Sequence, residues 1–333
     1  MNVLVVGCGI VGGRATRQLL GISGLDRIVV DDVRDDRVRE VVASMGAKTE
    51  ALGSRSWADV TPGIVLLACP PGHGTLARRA LGLDAHVVSV SDSIDDANVL
   101  RELHGAALAR NRSILIGAGF APGLSCLLAQ HGAVEFESVD EIHVAKTGTA
   151  GPGCARQHHE ALKHDGIDWR DGQWVAKPGG SGRELCWFPD PLGGADCYRA
   201  ALPDPMLLHY AFPDAGRITS RMSATRRDRL TSRFPMLRQP HAEAGPGAIR
   251  VELRGIRRGI ADVVIFGCMD RVSVAAGAVL ATATRAIVEG TVRRSGAGGL
   301  GEMIDAAPAL LDLASRGIKC ARFDGVPEHG AAL

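Results

Sequence analysis

Short apolar runs alternate with longer amphipathic stretches through the first 118 residues of the chain. Between runs such as VLVV, RIVV, IVLLA, HVVSV and SILIG lie stretches such as RDDRVREVVASMG, whose apolar residues recur with the period of a helix. Parallel strands need a helical crossover, and helices that cover both faces of a sheet leave its strands wholly apolar. The pattern therefore predicts an α/β domain built on a doubly wound parallel sheet, over residues 1–134.

The pattern changes after residue 135, where glycine and proline clusters interrupt shorter elements. AIRVELRG and IADVVIFG follow one another across IRR, and the first run alternates the apolar residues Ile249, Val251 and Leu253 with charged ones. Such alternation is typical of an antiparallel strand with one buried face. We predict an inserted α+β domain, for substrate binding and dimerisation, over residues 135–268.

Residues 272–290 are mostly small and apolar, VSVAAGAVLATATRAIVEG, and favour one long helix. Small side chains let a helix approach its neighbour closely. We predict that carboxy-terminal helices, over residues 269–325, return to the first domain.

A glycine-rich turn lies directly between the first predicted strand and the first predicted helix. Its glycines form a G-x-G-x-x-G motif, and the second strand ends in two aspartates. In dinucleotide-binding Rossmann domains the first glycine makes the turn, the second admits the pyrophosphate and the third lets helix and strand pack, while an acid binds the ribose. We therefore predict a dinucleotide site formed by Gly7, Cys8, Gly9, Ile10, Val11, Gly12, Asp31 and Asp32.

The two aspartates favour NAD as the cofactor. A carboxylate accepts a hydrogen bond from the ribose 2′-hydroxyl and repels the 2′-phosphate of NADP. Arg34 follows two residues after Asp32 and keeps NADP as the alternative.

Loops at the carboxyl ends of later strands are expected to line the crevice in which such folds bind ligands. Cys69, Pro70 and Pro71 follow IVLLA, and Ser91 and Asp92 follow HVVSV. We expect Cys69, Pro70, Pro71 and Ser91 to contact the cofactor. Asp92 has two interpretations, a catalytic acid or base and the N-cap of the helix IDDANVL.

The loop GAGFAPGLS follows SILIG and is expected to hold the substrate. Gly119, Phe120 and Pro122 are the predicted contacts. Free N–H groups at the start of the helix near Leu124 are expected to bind a substrate carboxylate.

The densest polar segment of the predicted second domain is TGTAGPGCARQHHEALKH. Adjacent residues of a helix lie about 100° apart, so at most one of His158 and His159 faces the crevice. A histidine there could exchange a proton with the substrate, and a solvated helix face is the alternative. Our candidate catalytic residues are His158, His159 and Asp92.

Arginines are the candidates for binding a substrate carboxylate through paired N–H bonds. Arg156 lies beside the two histidines, and Arg183 precedes the aromatic pair of ELCWF, a segment that could equally be structural. A further seven arginines lie between residues 217 and 238, where a solvated basic face is favoured over nucleic-acid binding.

Composition and charge restrict the functional classes. The 333 residues, 46% of them hydrophobic and 23% charged, are typical of a soluble globular protein. With 38 basic and 37 acidic residues the chain has no overall field to attract nucleic acid or a membrane. The eight cysteines include no CxxC pair, so we expect reduced thiols and no metal. The first predicted strand begins beside Met1, so we expect no secretory leader and a cytoplasmic location.

With the motifs VVGCGIVGG, VVDD, ACPP, HVVSVSD and GAGFAPGLS, the chain resembles the saccharopine dehydrogenase-like (saccharopine reductase) family. The resemblance implies a Rossmann domain, an inserted substrate domain and a carboxy-terminal return to the first domain. It also implies hydride transfer between NAD or NADP and the C–N carbon of an amine or imine derived from an amino acid. We expect a small-molecule substrate and a homo-oligomer, a dimer, with no nucleic-acid or membrane partner.

Two other functions remain open. A sugar or polyol dehydrogenase also joins a Rossmann domain to an open sheet, but the Glu-Lys-Pro step typical of it is absent after HVVSV. A regulatory protein could bind NAD as a signal without chemistry.

Overall fold

The computed structural model describes residues 1–236, 240 and 245–323. In its amino-terminal part, strands alternate with helices as the apolar and amphipathic runs predict. The strands are β1 (Asn2–Val6), β2 (Arg27–Asp31), β3 (Thr49–Ala51), β4 (Ile64–Leu67), β5 (His86–Ser89) and β6 (Ser113–Ile116), and the helices are α1 (Ile10–Leu19), α2 (Asp35–Met45), α3 (Trp57–Val60), α4 (His73–Gly82), α5 (Ile94–Glu102) and α6 (His104–Ala109).

The middle part of the chain builds a second, mixed sheet. Its elements are α7 (Leu124–Ala133), β7 (Ser138–Thr147), α8 (Pro152–Ala161), β8 (Gly166–Arg170), β9 (Gln173–Lys177), β10 (Glu184–Phe188), β11 (Gly193–Tyr198), α9 (Asp204–Ala211), β12 (Arg217–Ser223), α10 (Arg226–Thr231), β13 (Pro246–Arg257) and β14 (Ile260–Arg271). Strands β13 and β14 form the predicted antiparallel pair, in which Ile249 lies opposite Cys268.

The carboxy-terminal part contributes to both sheets. It comprises α11 (Val272–Val288), β15 (Gly296–Gly299), α12 (Leu300–Met303), α13 (Ala306–Ser315) and β16 (Cys320–Arg322). Strand β15 pairs with β6 in the first sheet, and β16 pairs with β14 in the second. Residues 324 and 325 of the predicted carboxy-terminal region, and Arg238 of the arginine-rich segment, lie outside the described residues.

The first sheet is parallel and, in the described part of the chain, has the strand order β15-β6-β5-β4-β1-β2-β3. The chain runs from β1 to β3 in one direction and from β4 to β6 in the other. The strand order therefore reverses between β1 and β4, where open α/β sheets form their ligand crevice.

Burial follows from the layered arrangement. All four residues of β4 are buried, as are all four of β6, because helices cover both faces of the sheet. Helix α11 packs against α1, and a Cβ atom on Gly277 would lie 2.7 Å from Cβ of Arg14. The small residues of α11 thus permit the predicted return to the first sheet.

Among the described residues, no helix is both long enough and apolar enough to cross a membrane.

Candidate active site

Two glycines of the opening turn are required by the packing of the chain itself. Gly7 has a φ of +104°, and a Cβ there would lie 2.6 Å from the backbone of Ala68. A Cβ on Gly12 would lie 1.8 Å from the carbonyl oxygen of Gly7. These glycines allow the turn and the close contact between α1 and β1.

Gly9 is different, because nothing in the described protein requires a glycine there. Its φ is −68°, and a Cβ would have no atom within 4 Å. Gly9 caps α1, whose amino-terminal end has no side-chain cap and no acidic residue in its first turn. The open space beside free N–H groups and the positive end of the helix dipole fits a pyrophosphate.

The aspartates after β2 lie beside this turn. The Asp32 carboxylate accepts hydrogen bonds from the backbone N–H of Cys8 at 2.6 Å and of Arg34 at 2.9 Å. The carbonyl oxygen of Asp31 accepts one from Gly7 at 2.8 Å. The Arg34 guanidinium is paired with Asp36 at 2.5 Å. The Asp32 carboxylate is thus fixed beside the glycine turn, and its contact with a ribose hydroxyl stays a prediction.

The loop after β4 is held by hydrogen bonds to Asp96, in the first turn of α5. Asp96 accepts hydrogen bonds from the backbone N–H of His73 at 2.9 Å and from the hydroxyl of Ser91 at 2.7 Å. The His73 ring is buried, with Nε2 3.0 Å from the carbonyl oxygen of Cys69. Pro70 and Pro71, which follow β4, are exposed. These hydrogen bonds fix the conformation of the loop after β4. The hydroxyl group of Ser91 is directed toward Asp96.

The GAGFAPGLS loop is buried throughout, including Gly119, Phe120 and Pro122. The first N–H groups of α7 are bonded within the loop: Leu124 donates to Gly119 at 3.0 Å and Ser125 to Phe120 at 3.3 Å. These two N–H groups are therefore not free for a substrate carboxylate, contrary to the expectation from sequence. The substrate contacts of the loop itself stay a prediction.

A charged cluster joins the loop after β5 to the second sheet. The Asp92 Oδ2 atom accepts hydrogen bonds from Lys146 Nζ at 3.2 Å and from His158 Nε2 at 3.0 Å. Lys146, on β7, also donates to the carbonyl oxygen of Ala121 at 2.9 Å. Cys154, one turn before His158 on α8, has its Sγ 3.5 Å from Nε2 of that histidine. We call Asp92, Lys146, Cys154 and His158 the crevice cluster.

The pKa values of Asp92, His158 and Lys146 are shifted in the directions that favour their charged forms. Burial alone would raise the pKa of Asp92, but Lys146 and His158 hold it below its usual range. Burial alone would lower the pKa of His158, yet Cys154 and Asp92 raise it to about 9. Burial opposes the charge of Lys146 as well, and Asp92 raises its pKa nonetheless. At neutral pH the cluster therefore contains a carboxylate, an ammonium and an imidazolium.

A second carboxyl group, that of Asp204, interacts with Lys146. Asp204 is fully buried, and its Oδ1 accepts a hydrogen bond from Ser125 at 2.7 Å. Its Oδ2 has no hydrogen-bond partner among the described residues. Burial raises its pKa, although Lys146 partly opposes the effect.

Three members of the cluster could hold a metal ion by distance alone, since ligand atoms of Asp92, Cys154 and His158 lie within 4.8 Å of one another. The ammonium group of Lys146 is 3.2 Å from the carboxylate oxygen that would bind the ion. A resident cation already neutralises that oxygen and repels a second one. We therefore interpret the group as an ion-pair cluster.

Comparison with models of protein families finds no match for the chain. Among solved structures, saccharopine dehydrogenase (L-Glu forming) from Saccharomyces cerevisiae superposes with a TM-score of 0.69, at 14% identity, over 97% of this chain and 99% of that one. The fold of this chain is that of saccharopine dehydrogenase. The family resemblance predicted from the motifs is thus confirmed at the level of the fold.

Two other solved structures are similar at lower scores. DAP dehydrogenase from C. glutamicum, in complex with DAP, has a TM-score of 0.51 at 14% identity, over 95% of this chain and 98% of that one. An engineered D-amino acid dehydrogenase bound to NADP+ has a TM-score of 0.52 at 15% identity, over 93% of this chain and 95% of that one.

The remaining predicted residues lie outside the crevice cluster. His159 donates from Nε2 to the carbonyl oxygen of Phe234 at 2.9 Å. Arg156 is exposed on α8. Arg183 is exposed and paired with Asp196 at 2.9 Å. The structure thus brings together His158 and Asp92, and their catalytic role stays a prediction.

Sequence reasoning missed Lys146 and Cys154. Lys146 follows Ile142 and Val144 at two-residue spacing, so the period of β7 places it on the buried face. Because lysine is almost never fully buried unless it is paired, a lysine on the buried face of a strand could have been recognised from the sequence. Cys154 and His158 are four residues apart, a spacing that puts both on one side of a helix.

Proposed function

We propose that the protein is an NAD(P)-dependent oxidoreductase that transfers hydride between the nicotinamide and a carbon bonded to nitrogen, in a substrate derived from an amino acid. One arrangement supports this above all. The open space over Gly9 follows β1, the Asp92 end of the crevice cluster follows β5, and both lie at the carboxyl edge of the first sheet. A dinucleotide with its pyrophosphate over Gly9 and its adenosine beside Asp32 directs the nicotinamide toward the cluster.

NAD is the favoured form of the cofactor. The Asp32 carboxylate is fixed by two backbone N–H groups, so it cannot easily swing away from a 2′-phosphate. Arg34, which could neutralise such a phosphate, is paired with Asp36. The similar D-amino acid dehydrogenase binds NADP+, which supports the nicotinamide class of cofactor and leaves NADP as the alternative.

The substrate class is supported by chemistry and by likeness. Reduction of an imine, or oxidation of an amine, requires that nitrogen gain or lose a proton as hydride moves. The names of two similar structures, saccharopine dehydrogenase (L-Glu forming) and D-amino acid dehydrogenase, refer to amino acids. An amino-acid-derived substrate in this crevice is consistent with both.

The crevice cluster is suited to the proton transfer. His158 keeps a proton on Nε2 at neutral pH, because its pKa is raised to about 9. Asp92 orients that N–H group and the ammonium group of Lys146 at the same time. The nicotinamide, when bound, supplies or accepts the hydride, and His158 donates or recovers the proton of the substrate nitrogen.

Cofactor binding and turnover test the proposal in sequence. The purified protein is titrated with NADH and with NADPH while nicotinamide fluorescence is followed, and pairs of amines and keto acids are then screened for cofactor oxidation. Gly9→Val fills the space over the turn and is expected to weaken binding by about 100-fold or more, about 3 kcal/mol.

Gly105→Val is the matched control, since a Cβ on this glycine of α6 also has no atom within 4 Å. It is expected to bind the cofactor like the wild type. If neither NADH nor NADPH binds, or if Gly9→Val binds as tightly as Gly105→Val, the proposed function is wrong.

A further inference from the structure

Cys154 occupies a position that stabilises a thiolate. It is in the first turn of α8, where the chain has no acidic residue, and Nε2 of His158 lies 3.5 Å from its Sγ. The N–H groups and positive dipole end of a helix amino terminus lower the pKa of a thiol, and so does a neighbouring imidazolium. The side chain is half-buried rather than sealed in the core.

The same helix end lies against the cofactor turn. A Cβ on Gly151, which caps α8, would lie 2.9 Å from Cδ1 of Ile10, the first residue of α1. Two turns after Gly151, His158 contacts Asp92, which follows β5. The thiol of Cys154 is thus placed between the glycine turn and the loop after β5.

From this geometry we propose a further activity: Cys154 is a nucleophile that attacks the carbonyl carbon of an aldehyde, so that the crevice oxidises aldehydes to carboxylic acids with NAD(P)+. The proposal rests on the proposed function for its oxidant. It adds a covalent step that amine or imine chemistry does not need.

Each step balances. The sulfur forms a bond to the carbonyl carbon, the π electron pair moves to oxygen, and that oxygen takes the proton of His158. The aldehyde hydrogen then leaves with its electron pair as hydride to the oxidised nicotinamide, while the hydroxyl proton returns to His158. The product is a thioester on Cys154. Water attacks the thioester, the carboxylate leaves and the thiolate is restored, with two protons released per aldehyde.

The groups facing the thiol favour Cys154 over its neighbours. They are His158 on the same helix, Asp92 after β5 and Lys146 on β7. Burial alone would raise the pKa of Cys154, but His158 lowers it below its ordinary value. The pKa of Lys146 is raised, so its amine stays protonated and is not a nucleophile. Cys69, the other half-buried crevice thiol, has its pKa raised by burial to about 11.

Alkylation tests the thiolate without turnover. The full-length protein is treated with limiting iodoacetamide between pH 6 and 9, and the modified cysteines are identified by mass spectrometry. Cys154 is expected to react at least about tenfold faster than Cys69 at pH 7, because the thiolate is the reacting form. His158→Gln is expected to slow Cys154 and leave Cys69 unchanged. Equal rates at the two cysteines overturn the proposal.

The covalent step is tested with acetaldehyde and propionaldehyde in the presence of NAD+ and NADP+. We expect reduced cofactor to form, an acyl group on Cys154 by mass spectrometry, and a hydroxamate when hydroxylamine is added. Cys154→Ser is expected to lose all three signals. An adduct on Lys146 trapped by borohydride, zinc retained by the wild type and lost in Cys154→Ser, or no acyl group with either aldehyde, each overturns the proposal.

Failure of this inference is distinguishable from failure of the proposed function. If NADH and NADPH bind but Cys154 carries no acyl group, only the aldehyde activity is wrong. If neither cofactor binds, the proposed function falls, and the alkylation rates still report on the thiolate.

Discussion

Replacing Asp92 with asparagine removes the carboxylate that accepts hydrogen bonds from both Lys146 and His158. At an effective dielectric constant of about 20, the contacts of 3.2 and 3.0 Å are each worth about 5 kcal/mol before desolvation. Removing one partner of a buried pair costs about 3–5 kcal/mol, because the remaining charges stay buried. The amide oxygen of asparagine still accepts one hydrogen bond, so we expect Asp92→Asn to lower the free energy of unfolding by about 3 kcal/mol.

The pH dependence of this loss has a definite sign. The pKa of Asp92 in the folded protein lies below the 3.8 of the unfolded chain. A depressed carboxyl pKa contributes stability that is present above the unfolded pKa and is lost as the pH falls through the folded pKa. The part of the difference between wild type and Asp92→Asn that comes from the titration of Asp92 is therefore expected to be constant above about pH 5 and to narrow below about pH 4.

The measurement is urea unfolding followed by circular dichroism, on Asp92→Asn, Lys146→Met and the double variant. The losses in unfolding free energy of the two single variants are expected to sum to about 2 kcal/mol more than the loss of the double variant. Each single variant removes the same interaction, and the double variant loses it only once. Asp84→Asn is the matched control, since that side chain is 69% exposed and 3.9 Å from Arg110. If Asp92→Asn changes the free energy of unfolding by less than about 0.5 kcal/mol, as a substitution at a surface position does, the buried ion pair does not contribute as argued.

Three further outcomes are expected. Asp32→Ser should shift cofactor preference toward NADPH in fluorescence titrations, since it removes the carboxylate that repels a 2′-phosphate; a wild type that already prefers NADPH contradicts this. His158→Asn should lower kcat on a verified amine substrate by about 10²- to 10⁴-fold with cofactor affinity unchanged, whereas His164→Asn, whose ring is 57% exposed, should match the wild type. Lys146→Met should raise the apparent pKa of His158 and Asp92→Asn should lower it, as followed by NMR of the ring protons, because the lysine charge opposes the imidazolium and the carboxylate stabilises it.

The first sheet and the glycine turn could be predicted because their signals are local. Buried parallel strands require continuous apolar runs, and the turn requires glycines at set positions, as Gly7 and Gly12 show by the clashes that a Cβ would cause. Strand β15 is the exception. Its sequence, Gly296–Gly299, contains three glycines, which have low strand propensity, and it is a strand only because β6 offers a free edge.

The crevice cluster could be predicted only in part, because it consists of distant contacts. Lys146 can be placed on the buried face of its strand by spacing alone, but its partner is 54 residues away. The sequence allows two interpretations of Asp92, a catalytic residue or the N-cap of α5, and the backbone geometry excludes the second. Ser93 caps α5 by accepting the N–H of Asp96, so Asp92 is one residue too early to cap the helix.

That single residue decides the direction in which Asp92 points. Because Asp92 precedes the N-cap, its carboxylate contacts Lys146 on β7 and His158 on α8. The raised pKa of His158 therefore depends on the two parts of the chain being packed together, and not on its own helix alone. A sequence pattern records the period of each element but not which charges two elements bring within 3 Å, so the protonation state of such a site follows only from the assembled fold.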